Sequence, residues 1–204
     1  MEITAVEPRR KGLVQLYLDG EPAVKLDRET FLVSGLGPGD QLDDTQLRQL
    51  IQASDARRAK EKALYLLGHR SHSKKELIEK ITRTTAGREA AQAAADRMEE
   101  LGLIDDQAYG RNLAKELFQQ RGYGARRVKH ELRLKGIQAE LIEELLEEFG
   151  GEDQAVENIR RILEKKYAGW QEDEKLKRRA YSALQRHGYS YEEIREGMRG
   201  AWED

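Results

Sequence analysis

Four carboxylates stand close together in "EELGLIDD": Glu99, Glu100, Asp105 and Asp106. Oxygen ligands in such a group could hold a divalent cation and serve a metal-dependent nuclease. Their spacing favours a plainer role. Glu99 and Glu100 close one helical pattern and the aspartates open the next, where an aspartate caps exposed N–H groups. His69 and His72, in "HRSH", have no third ligand at a matching distance and read as solvated histidines. "GLGPGD" and "RGYGARR" are glycine-rich, but neither ends in the Lys-Ser/Thr of a phosphate loop. The chain has no cysteine, which excludes thiol chemistry, disulfides and Cys-ligated zinc and fits a reducing cytosol. The residues therefore predict no enzyme, no cofactor and no metal.

The cations carry more information. Of 204 residues, 36% are charged, yet the net charge is only -2. That balance hides an asymmetry. Residues 1–56 carry 6 basic and 10 acidic side chains, net -4; residues 57–135 carry 19 and 11, net +8; residues 136–204 carry 11 and 17, net -6. A basic middle between acidic ends points to an anionic partner. In "ARRVKHELRL", Arg126, Lys129 and Arg133 share one helical face while Val128 and Leu132 turn to a core. Lys74 and Lys75 open a similar short helix earlier in the chain. Lys175, Lys177, Arg178 and Arg179 lie in another one later. A ridge of this kind suits phosphates or an acidic groove on a protein polymer. A helix-turn-helix unit that reads bases is the alternative, although base readout favours Asn, Gln or Arg at the helix start and only Arg is present.

The elements that position these cations are mostly helices. "ITAV" and "LVQLYLDGEPAVKL" read as strands, with Asp19-Gly20 as a hairpin turn. Asp27 caps a short helix, glycines and Pro38 break the chain, and a helix restarts at Asp43 or Asp44. A domain boundary is expected within 45–56. From Ser54 onward the pattern is helical. The inward residues expected include Ala56, Ala59, Ala63, Leu66 and Leu67, then Leu101 at the end of the third helix, and Tyr191 in the last. Ser71 or Ser73, Asp105 or Asp106, and Ser190 are the expected caps, with Glu76 at a capping-box spacing from Ser73. The order long–short–medium recurs three times, with Gly136 and Ile142 matching Gly188 and Ile194, and Gly87 and Ala93 as a more degenerate copy. The expected fold class is mainly α: an elongated array of three tandem three-helix repeats behind a small β-containing N-terminal domain. The divisions are 1–53, 54–104, 105–150 and 151–204. The start has no apolar signal core and no run is long enough to span a membrane, so neither export nor membrane insertion is expected.

Three stretches together, "ALYLLGHRSHSKKELIEKI", "LGLIDDQAYGRNL" and "RGYGARRVKHELRLKGI", resemble the RecX family, bacterial regulators of the RecA recombinase. The resemblance rests on Arg70, Ser73, Glu76, Leu77, Leu101, Gly102, Asp105, Asp106, Tyr109, Arg121, Gly122, Gly124, Val128, Glu131, Leu132, Lys135, Gly136 and Ile137 in that order. It is firm across 60–137 and looser across 138–200. It implies tandem three-helix repeats and a non-enzymatic monomer in the cytoplasm. That monomer would bind RecA and the RecA–DNA filament and inhibit ATP hydrolysis and strand exchange, with DNA itself a further partner of the basic middle segment. The candidate contact residues are Arg70, Lys74, Lys75, Arg121, Arg126, Arg127, Lys129, Arg133, Lys135, Lys175, Arg178 and Arg179. Arg121–Gly124 is then a hinge between helices, and Gly136 ends the helix that follows.

Overall fold

The structure is a computed structural model that describes residues 1–83 and 87–199. Three antiparallel strands, β1 (Ile3–Arg9), β2 (Leu13–Leu18) and β3 (Glu21–Asp27), form a sheet in the order β1-β2-β3. Asp19 and Gly20 both take positive φ, 49° and 87°, which matches the twist of a two-residue hairpin. Alternation puts Val14, Leu16 and Leu18 on the buried side of β2. Asp27 then caps α1 (Arg28–Val33) by accepting the Thr30 N–H.

Helix α2 (Asp44–Leu67) begins at a capping box of Asp43 and Gln46. It runs unbroken through the boundary expected at 45–56. Its first half gives Leu50 to the sheet's core, and its second half gives Ala59 and Ala63 to the next core. Ser54, between the halves, is buried and its hydroxyl accepts the Asp27 N–H at 2.7 Å. Ala56, expected inward, is exposed. One helix thus serves two cores, and no linker separates the sheet from the first helical set.

That set is completed by α3 (Lys74–Thr82), capped by Ser73, and α4 (Arg88–Glu100). Leu101 follows the last helical turn and is half exposed; Ile104 takes the inward place. The second set comprises α5 (Asp106–Lys115), extended by a π-turn over Glu116–Gln120, then α6 (Ala125–Leu134) and α7 (Ala139–Phe149). The third is α8 (Glu152–Lys166), α9 (Glu174–Arg186) and α10 (Tyr191–Gly197). Each set has its own apolar cluster. The chain divides into two compact units, residues 1–104 and 105–204.

The internal repeat has a physical basis. At the ends of α6 and α9, the N–H groups of Ile137 and Tyr189 reach back to the carbonyls of Leu132 and Leu184, while Gly136 and Gly188 donate to Arg133 and Gln185. This is the Schellman closure, which needs a left-handed residue and buries the hydrophobe after it. Ile137 and Tyr189 are buried accordingly, whereas Tyr191, expected inward, is 58% exposed. Gly87 does not match: it is the N-cap of α4, with φ -59°. Counting four residues from each N-cap pairs Ile142 and Ile194 with Ala91 rather than Ala93, and all three are fully buried. Among the described residues, no helix is long and apolar enough to cross a membrane.

Candidate partner-binding surface

The second unit holds α6 and α9 end to end. The π-turn leaves the Phe118 carbonyl facing α8, where the buried Asn158 amide donates to it at 3.2 Å. Gly122, at φ +61°, then turns the chain, and its carbonyl accepts the Tyr189 hydroxyl at 2.8 Å. Burial pushes that phenol's pKa up, so it stays a donor. Gly124 starts α6 without a side-chain cap. Its N–H donates to the His187 carbonyl at 2.9 Å, and the Arg126 N–H donates to the Gly188 carbonyl at 3.3 Å. Free donors at one helix start are thereby satisfied by free acceptors at another helix end. A Cβ on Gly124 would lie 2.6 Å from the Gly188 backbone, and a Cβ on Gly188 would lie 2.5 Å from the Arg127 Cβ. Glycine is required on both sides of this contact. Arg121–Gly124 is thus a packed joint with no phosphate-loop geometry.

The candidate cations fall into two groups. Arg126 and Arg133 on α6, and Lys175, Arg178 and Arg179 on α9, are exposed, with no ion pair among the described residues. Lys75 on α3 is likewise exposed and unpaired. The others are engaged. Lys129 pairs with Glu143 on the acidic α7. Arg127 lies 3.9 Å from the Tyr123 ring centre and donates to the Arg186 carbonyl at 3.2 Å. Arg121 pairs with Glu116, and Arg70 with Glu76. Lys135 is half-buried. Lys74 sits between Asp96 and Glu99, at 2.7 and 2.6 Å, which holds its pKa up and that of Asp96 down through their mutual hydrogen bond. Lys177 pairs with Glu174 at 3.5 Å.

Arg186 was missed in the sequence and belongs with the free group. It is exposed, and with Lys175, Arg179 and Ser182 it follows steps of four, three and four along α9. The helical spacing of these positions in the sequence is the signal that marks the stripe. Lys175 to Arg186 is eleven residues, about 16 Å of helix at 1.5 Å per residue.

The other chemistry is quiet. Asp105 caps α5 by accepting the Ala108 N–H, Glu100 pairs with Arg97, and Glu99 is taken by Lys74. Among the described residues no group of three or more side chains could hold a metal ion. His69 is exposed, but His72 is buried rather than solvated. Its Nδ1–H donates to the Arg70 carbonyl and Lys80 donates to Nε2, so the ring is neutral and burial lowers its pKa.

Two family descriptions match the chain: the second three-helix domain of RecX over residues 105–146 and the third over 152–198. Regulatory protein RecX of Caldanaerobacter subterraneus subsp. tengcongensis is 30% identical over 97% of this chain and 98% of its own length. RecX of Trichlorobacter lovleyi is 33% identical over 66% of this chain and 89% of its own. RecX of Bacillus subtilis is 27% identical over 96% and 75%. In three dimensions, a crystal structure of regulatory protein RecX superposes with a TM-score of 0.62 at 22% identity, covering 96% of this chain and 98% of that one. RecX from Lactobacillus salivarius superposes at 0.60 and 21% identity, covering 71% and 95%.

Proposed function

The chain belongs to the RecX family of regulatory proteins, and from that premise we propose that it binds RecA and the RecA–DNA filament and inhibits ATP hydrolysis and strand exchange. It acts without catalysis of its own, as a cytoplasmic monomer. The observation that carries this reading is the likeness to a RecX protein along 97% of the chain, sheet and all three helical sets included. The contact surface assigned to the filament is the set of free cations on α6 and α9: Arg126, Arg133, Lys175, Arg178, Arg179 and Arg186; Lys75 is a separate contact on the first unit. Arg121, Arg127 and Lys129 serve it indirectly, by holding the helices that carry it, while Arg70 and Lys74 hold α3 within the first unit.

The test is RecA ATPase on saturating single-stranded DNA, so that competition for DNA cannot mimic an effect. We expect a lower rate with this protein. Reversing Arg126 and Arg133 to glutamate should restore most of the rate with little loss of stability, because exposed unpaired charges contribute little to folding. An unchanged RecA rate with excess protein would sink the reading.

The exposed Arg126 in the first turn of α6 supports a second reading, a DNA-binding regulator of the helix-turn-helix kind. It requires binding to duplex DNA without RecA, with a sequence preference as well as a salt dependence.

A further inference from the structure

Residues 1–56 are net acidic, but the fold sorts their charges. Of their six cations, Arg9, Arg10, Lys11, Lys25 and Arg28 all fall at one end of the sheet, and only Arg48 lies elsewhere. Arg9 pairs in register with Leu13, which pairs with Asp27; the next rung is Glu7, Gln15 and Lys25. Arg10 and Lys11 form the turn between β1 and β2, and the Arg28 N–H donates to Gly12 in that turn at 2.9 Å. The opposite end carries Glu2, Asp19 and Glu21. The sheet is therefore polarised along its strands.

The basic end is not neutralised from within. Glu7 is held by Arg9 at 2.6 Å. Asp27 is buried, caps α1 and pairs with Arg57 at 3.1 Å. Glu29, in the first turn of α1, is the remaining nearby carboxylate. Arg10, Lys11, Lys25 and Arg28 are exposed and form no ion pair among the described residues. A shallow groove lies here, lined by Pro8, Arg9, Arg10, Leu13 and Lys25. Its width across three strands is about 10 Å.

We propose that this end of the sheet is a separate nucleic-acid contact that grips the phosphates of single-stranded DNA. The lining decides between DNA and an acidic protein. Protein interfaces draw their energy from buried aromatic or aliphatic anchors. This groove offers one half-buried leucine, one proline and cations. None of the lining residues is aromatic, and Tyr17 beside them is half-buried with its hydroxyl donating to Glu7 and accepting from Arg9, so the contact is to backbone and independent of sequence. The inference does not depend on how α6 and α9 are used, and its readout needs no RecA.

The experiment is fluorescence anisotropy of a labelled oligothymidine titrated with the full-length protein over a range of salt. The triple variant R10Q/K11N/K25Q removes three charges at exposed positions, with asparagine at Lys11 because φ there is +61°. We expect weaker binding and a log–log salt slope smaller by about 2, at ~0.7 per phosphate on a single strand. The charge-preserving R10K/K25R should keep the wild-type slope, which separates charge from damage to the fold. Unchanged affinity and slope in the triple variant would overturn the proposal, as would failure of the wild type to bind the strand. A triple variant that binds DNA normally but loses its effect on RecA ATPase would assign the surface to an acidic protein instead. Loss of RecA inhibition in the wild type alone would count against the filament reading and leave this one standing.

Discussion

Arg126 and Lys129 lie three residues apart on one helix, and the sequence treats them alike. The fold separates them: one stands free and the other is held by Glu143 from α7. Helical periodicity gives the face a residue occupies, but an ion pair depends on which helix docks opposite, and that is a tertiary fact. The same holds for histidine. Nothing in "HRSH" distinguishes His69 from His72, yet one is exposed and one is enclosed between Arg70 and Lys80. His187, at the joint, is likewise kept below its ordinary pKa, first by burial and then by Lys166, Arg127 and Arg186. Both rings are neutral in the fold and free to charge in the unfolded chain. The unfolded state therefore binds more protons in acid, and stability rises with pH. It is fully present above the unfolded value near 6.5 and declines as pH falls toward the lowered native values. Thermal melts should show a lower Tm at pH 5 than at pH 7.5. His187→Gln, which cannot charge, should flatten that dependence; an identical pH profile would show that His187 is not a source of it.

Among the elements, caps were the most legible feature. Asp27, Ser73, Asp105 and Ser190 each accept the N–H groups that their positions predicted, because a cap is set by local chemistry. Inward stripes failed at Ala56, midway along α2 where the helix passes from one core to the next, and at helix ends. Leu101 and Tyr191 belong to helix termini, where a left-handed glycine redirects the chain and a different hydrophobe, Ile104 or Tyr189, turns inward. The joint between α6 and α9 lay beyond sequence reasoning, since its donors and acceptors are some sixty residues apart. Its two glycines were visible only as breaks. Gly188→Ala combines a positive φ with a clash against Arg127, and we expect it to cost about 2–4 kcal/mol. Gly37→Ala, with open space around it and no positive φ, is the control and should change little. Denaturant unfolding followed by circular dichroism measures both; equal stability of the two variants would deny the joint its part in the fold.

For the molecule as a whole, three helical sets and a sheet were legible, but the continuity of α2 across residues 45–56 was not. A break was expected where α2 runs continuously, because "LRQLIQASDARRA" changes the core it serves without changing its structure. The division observed lies between Ile104, buried in the first unit, and Asp105, the cap of α5 in the second. Residues 1–104 and 105–204 expressed as separate chains should each keep helical circular dichroism and unfold cooperatively. A first unit cut instead at residue 53 should not, since that cut severs α2. Averaged charge misled in the same way: net -4 over residues 1–56 gave no sign of a basic end until strand register placed the cations side by side. The joint also sets an order in time. A nascent chain emerging from the ribosome presents the start of α6 long before residues 187 and 188 exist to receive its N–H groups. At about 5–20 residues per second the wait is roughly 3–13 s. The second helical set can close its own core early, but the start of α6 gains these two backbone partners only when the third set has been made.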